Sequence, residues 1–167
     1  MVRTDRVLGT IQQAMEIERF GYGFYNSMRP FVKDTKGQKF ISYLANLELQ
    51  HLHWLEEAYT KQLINMDAFD EAEPTNMSLI GKDEIFLVDN MPDMFKDFDP
   101  VGAIEYAIKV EQKSVEFYER YQDLSDDDNL NELFKKLVDF ERDHIKILES
   151  QFESLKNNGE WEAPPKH

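Results

Sequence analysis

The sequence predicts an all-α protein: a four-helix bundle of two antiparallel helical hairpins joined by a long crossover. Three observations predict it. Helix-forming residues dominate the 167-residue chain, while its 7 glycines and 6 prolines are scarce and fall largely between periodic stretches. Four stretches carry apolar residues at alternating steps of three and four, the spacing of one helix face. The pattern of the first half also returns in the second half at a fixed offset of 93 residues.

Taken in order, the first helix is expected to begin after Thr4 or Asp5 and to stop near Pro30, at about Met28. Thr35, with Gln38 three residues on, reads as a capping box opening a second helix that runs to about Leu63. Residues 64–98 form the crossover, whose piece 78–88, SLIGKDEIFLV, is left open between a short helix and an extended stretch. Asp99-Pro100 opens the third helix, an N-cap carboxylate before a proline at the first helical position, and that helix reaches about Tyr121. Ser125 and the acids Asp126, Asp127 and Asp128 open the fourth, which Asn157-Asn158-Gly159 ends. The bundle thus covers 1–158, with hairpins at 5–63 and 99–157, and 159–167 is expected to be a flexible or loosely docked tail. Short connections inside each hairpin make its helices antiparallel neighbours.

Composition excludes several chemistries. There is no cysteine, so disulfides, thiolate zinc sites, iron–sulfur clusters and a cysteine nucleophile are ruled out. With 33 acidic against 19 basic residues the formal charge is −14, which repels nucleic acid and anionic lipid and attracts cations. No signal peptide is apparent, and no run approaches the ~18 apolar residues of a membrane span. A cytoplasmic protein is expected.

The seams carry the functional signal. Leu8, Ile11, Met15, Glu18, Tyr22 and Tyr25 line the first helix, and Ile41, Leu44, Glu48, His51, Leu55 and Ala58 the second. Ile104, Ala107, Glu111, Ser114, Tyr118 and Tyr121 line the third, and Phe134, Leu137, Glu141, His144 and Leu148 the fourth. Each apolar seam is interrupted by a glutamate, and in the second and fourth helices by a histidine one turn later. Glu18 and Glu48 are 30 residues apart about the first turn, and Glu111 and Glu141 are 30 apart about the second, so each pair faces across its hairpin. The offset of 93 relates 18 to 111, 48 to 141 and 51 to 144, the mark of a tandem duplication. Four carboxylates meeting in an apolar interior could not all stay ionised unaided. Two cations would neutralise them, and oxygen donors with one imidazole per metal suit iron or manganese. The bland alternative is a set of internal salt bridges, an unfavourable use of buried acids compared with apolar packing.

This arrangement, one Glu from each of two helices and Glu-x-x-His from the other two, resembles the ferritin-like carboxylate proteins. The short hairpins, the Glu…Phe-Tyr pattern and the size look most like the rubrerythrin branch, over roughly residues 5–155. The resemblance implies a ferritin-like four-helix bundle, two iron ions (manganese or a mixed pair being alternatives) and the ligands Glu18, Glu48, His51, Glu111, Glu141 and His144. It also implies side-by-side homodimers. Two departures stand out: the cysteine-ligated iron relay of rubrerythrins is absent, and Ser114 occupies the place of their additional glutamate.

The expected activity is therefore a di-iron oxidoreductase acting on O2 or H2O2, with an external electron-donor protein. A ferroxidase and a non-enzymatic metal-binding interaction bundle are the alternatives. Tyr25 and Tyr118, each two turns beyond a ligand glutamate, are candidates for hydrogen bonding to ligand carboxylates or for electron donation, with core filling as the plainer role. His53 faces away from His51 and is expected at the surface, Trp54 is a candidate for an exposed apolar face, and His167 is a chain end.

Overall fold

Asp99 and Asp127 begin the helices of the second hairpin. The Asp99 carboxylate accepts from the amides of Val101 and Gly102 ahead of a helix at Pro100–Tyr121 (α3), and Asp127 accepts from Asn129 and Leu130 ahead of one at Asp128–Asn158 (α4). These side chains satisfy amides that a helix start leaves without partners. Gly159 ends α4 with φ 70°, donating its amide to the Leu155 carbonyl at 2.9 Å. The first hairpin comprises helices at Val2–Met28 (α1) and Thr35–Ile64 (α2), joined by a single 3-10 turn at Arg29–Phe31 that contains Pro30. The computed structural model describes residues 2–64, 91–123 and 126–166; the crossover stretch 65–90, with its piece 78–88, Ser125 and His167 lie outside the described residues.

Two local expectations are corrected. Asp34, not Thr35, caps α2: its Oδ1 accepts the Gly37 amide at 2.9 Å, while Gln38 donates its side-chain amide to the Val32 carbonyl. The acid one position earlier reaches the first-turn amide, which leaves no role for the expected box. The second correction concerns α1, which is already helical at Val2, since no breaker precedes Thr4.

The helices pack in pairs, α1 along α2 and α3 along α4, and the hairpins meet through α1 with α3 and α2 with α4. Side-chain contacts give the direction of these outer pairs. Tyr25 reaches Glu111 while Tyr118 reaches Glu18, so α1 and α3 are antiparallel; His51 reaches Glu141 while His144 reaches Glu48, so α2 and α4 are too. The end of α2 and the start of α3 consequently lie at opposite ends of the bundle. Phe95, in a 3-10 turn at Met91–Phe95, is buried against Phe24 and Phe31 at the far end. All described elements are helical, and none is long and apolar enough to cross a membrane.

Two apolar clusters fill the interior. One gathers Phe24, Phe40, Leu44, Ile104 and Leu148, and the other Ile11, Leu55, Phe134 and Leu137. The polar seam residues lie between them. Tyr22 departs from the expected seam and is 37% exposed; Gly21 takes the inward place beside Glu48, where a larger side chain has no room.

The segment after α4, expected to hang loosely, is held. Trp161 is buried against Phe40 and over Gly37, where a Cβ would come within 2.5 Å of its ring. Gln151, fully buried, donates to the Glu160 carbonyl and accepts the Glu162 amide. A large indole supplies the burial, and one glutamine satisfies the backbone that comes with it.

Candidate metal centre

Glu18 on α1, Glu48 and His51 on α2, Glu111 on α3, and Glu141 and His144 on α4 converge at mid-bundle, each at most 3% exposed. Every residue expected from the duplicated pattern is brought together. His53 is exposed, as its offset from His51 implies.

The six form two overlapping four-residue sets, and Glu48 with both histidines makes a third group of three. Glu18, Glu48, His51 and Glu141 make one, and Glu48, Glu111, Glu141 and His144 the other; within each, one donor atom per residue lies within 4.8 Å of the rest. Glu48 and Glu141 belong to both sets. Each set thus has a private glutamate, a private histidine and two shared carboxylates. His51 Nδ1 lies 3.3 Å from Glu18 and 3.1 Å from Glu141, and His144 Nδ1 lies 3.2 Å from both Glu48 and Glu141. The two imidazoles stack at 5.2 Å, nearly parallel at 9°.

The tyrosines complete the pattern. Tyr25 on α1 donates to Glu111 Oε1, and Tyr118 on α3 donates to Glu18 Oε1. Each private glutamate is therefore oriented by a phenol from the neighbouring hairpin, which leaves its second oxygen facing the centre. Burial, then the charge of the carboxylate each one touches, pushes both phenols well above their ordinary pKa, so they remain donors.

Electrostatics show what the cluster lacks. Burial, then the charges of Glu111, Glu141 and Glu18, raises Glu48 well above the usual carboxylate range. Burial and the charge of Glu141 take Glu111 up to about 8, although His144 opposes the shift. Burial alone would lower His51, but the charge of Glu18 and the close contacts of its ring with Glu141 and Glu18 lift it to about 11; His144 is raised for the same kind of reason, chiefly by Glu141. Glu141 is held well below its ordinary value, since the two imidazoliums outweigh its burial. Protons balance the buried negative charge.

That balance leaves several donor atoms without an aligned hydrogen bond. Among the described residues, Glu18 Oε2, Glu48 Oε1, Glu141 Oε2 and His144 Nδ1 are buried and make no well-aligned hydrogen bond, meeting one another or His51 Nδ1 only as ion-pair contacts at 3.2–3.3 Å. Buried polar atoms of this kind are rare and call for a partner. All four belong to the cluster, one or more in each set, and they are the hard oxygen and imidazole donors that a metal ion accepts. The buried Glu/His group could hold a metal ion.

Gly21 was not singled out by the sequence pattern. A Cβ there would overlap Glu48 Oε2 and lie 3.0 Å from its Cδ, so the shared carboxylate occupies the space that a side chain would take. A glycine inside a helix, unfavourable by ~1 kcal/mol relative to alanine, was the available signal. The Trp54 and Phe140 rings were also unforeseen as neighbours of the centre: each lies 5.4 Å from the His51 ring.

No family model matches the chain, and no curated protein matches it. Among solved structures, a hypothetical protein from Pyrococcus furiosus is similar, with TM-score 0.65 and 20% identity over 90% of each chain. At that identity the likeness shows the fold alone, an all-helical architecture of four packed helices common to both chains.

Proposed function

We propose that the chain is a ferritin-like, di-iron carboxylate oxidoreductase of the rubrerythrin type, reducing dioxygen or peroxide with electrons from an external donor. The observation that carries this reading is the pair of overlapping donor sets sharing Glu48 and Glu141. A single cation would need at most four of the six residues, whereas two cations would draw on all six. Two iron ions held there would supply two-electron redox chemistry to a small oxidant.

The chain's own residues have defined tasks. Glu18 and Glu111 would each serve one ion, and the phenols of Tyr118 and Tyr25 hold them in place. His51 and His144, stacked on each other, present Nδ1 to the shared pair, His51 to Glu141 and His144 to both Glu48 and Glu141. The apolar clusters on either side exclude water, which strengthens every charge interaction within. Protons that balance the carboxylates in the metal-free cluster would leave as cations enter. Electrons have to come from outside the chain, because it has no cysteine for a built-in iron relay.

Anaerobic loading with ferrous iron is expected to saturate at two ions per chain. Stopped-flow mixing with O2 and with H2O2 would then rank the oxidants, and faster reaction with peroxide supports the rubrerythrin-like version. Continued uptake of iron beyond two per chain in soluble form would instead make iron the substrate, as in a ferroxidase. A protein that binds neither iron nor manganese, and gains no thermal stability from them, refutes the proposal.

A further inference from the structure

The six donors are at most 3% exposed, so a redox partner cannot touch them, and the chain has no cysteine to hold a relay of its own. A line of rings nevertheless runs from the centre to the surface. The His144 imidazole stacks on that of His51, and the indole of Trp54 stacks on His51 in turn, centroids 5.4 Å apart and planes within 30°. Trp54 is half-buried, and Phe140 flanks it at 5.3 Å with 38% of its own surface exposed. The duplication does not account for this pair. At the offset of 93, Trp54 corresponds to Ile147 and Phe140 to Leu47, so the equivalent places in the other half carry aliphatic residues. Aliphatic side chains serve an apolar wall equally well, and rings at one of two equivalent places call for another reason. Tyr25 and Tyr118 are buried, with their phenols committed to Glu111 and Glu18, and present nothing to a partner.

We propose that Trp54 is where electrons from the external donor enter the centre, crossing the Trp54–His51 contact and reaching both donor sets through the stacked imidazoles. This rests on the di-iron reading above and adds to it the place of entry and the kind of partner, a one-electron carrier. Electronic coupling falls steeply with distance, and conjugated rings in contact bridge it better than aliphatic packing does. One entry point serves both four-residue sets, because His51 belongs to one and His144 to the other. Each passage oxidises the carrier by one electron. Two passages replace the two electrons that hydrogen peroxide takes when its O–O bond breaks and, with two protons from water, it becomes two waters.

The chain has two tryptophans, and Trp161 packs on Phe40 in the other apolar cluster. Anaerobic loading with ferrous iron comes first. Wild type, Trp54→Phe and Trp54→Leu are all expected to take two ions per chain. Loading is expected to quench the wild-type emission strongly and that of Trp54→Phe, left with Trp161, only weakly. The loaded proteins are then oxidised with hydrogen peroxide and re-reduced under argon with the methyl viologen radical, a one-electron carrier, each half followed by stopped-flow. Trp54→Leu is expected to slow re-reduction roughly tenfold, ~1.4 kcal/mol of barrier, with oxidation by peroxide unchanged. Trp54→Phe, which keeps a ring against His51, is expected to recover most of that loss. Re-reduction of Trp54→Leu at the wild-type rate, or equal slowing of both half-reactions, overturns the entry route and leaves the two-ion reading standing. A wild-type chain that takes up no iron overturns both.

Discussion

Gly21→Ala adds one methyl group, touches no expected ligand by name, and tests whether the placement of Glu48 matters. The added Cβ would overlap Glu48 Oε2 and crowd Cδ and Cγ at 3.0 and 3.2 Å, so the carboxylate has to swing away. Two effects then oppose each other in the metal-free protein. Alanine gains ~1 kcal/mol over glycine in a helix interior, while overpacking a tight interior costs ~1–3 kcal/mol. Their difference leaves a loss of roughly 0–2 kcal/mol, a fall of at most ~8 °C at this chain length. Metal binding should suffer far more, because Glu48 belongs to both donor sets. Displacing a group that orients a ligand typically lowers affinity ~10–100-fold. Gly9→Ala is the control, since nothing lies within 4 Å of its Cβ position, and it should stabilise the fold by up to ~1 kcal/mol with unchanged loading. Competitive titration of both variants with ferrous or manganous ion against a chelator, alongside thermal melts, measures the two quantities separately. Wild-type metal affinity in Gly21→Ala would refute the cradle and weaken the shared role of Glu48.

Glu48→Gln separates a metal centre from a salt-bridge cluster. If the acids serve cations, removing one mutually repelling carboxylate should leave the metal-free stability equal or higher by ~1 kcal/mol while loading falls below two per chain; a loss of ~3–5 kcal/mol would favour the salt-bridge alternative. Tyr118→Phe leaves Glu18 Oε1 without its buried donor and should lower stability by ~1–3 kcal/mol, read by thermal or denaturant melts. The metal-free protein should lose stability as pH rises: Glu111, about 8 folded against 4.5, loses its contribution between those values, and His51, about 11 against 6.5, loses its own between those, so both act from pH 6.5 to 8. Melts across that window check the direction, and iron or manganese loading at pH 7 in weak buffer should release protons. Trp161→Ala should cost ~3–5 kcal/mol, since the indole is buried against Phe40, whereas a melting temperature unchanged from wild type would show the segment to be dispensable.

The sequence by itself determined four helices and their pairing, because apolar spacing, capping acids and breakers are local signals that each segment carries for itself. Asp99-Pro100 and Gly159 began and ended helices as read. The six buried donors were legible too, since a duplicated register puts residues equidistant from a turn at one level, whatever the details of packing. The cap at Asp34 was missed because adjacent polar residues compete for the same amides, and one position decides which reaches. Only the tertiary structure showed that the phenols cross between hairpins, that Gly21 yields its space to Glu48, and that Trp161 closes over Gly37. These features arise from pairs of residues distant in the chain, whose side chains meet only when the hairpins dock. A helical period gives the face a residue occupies, but not the shape or depth of the neighbour it will find there.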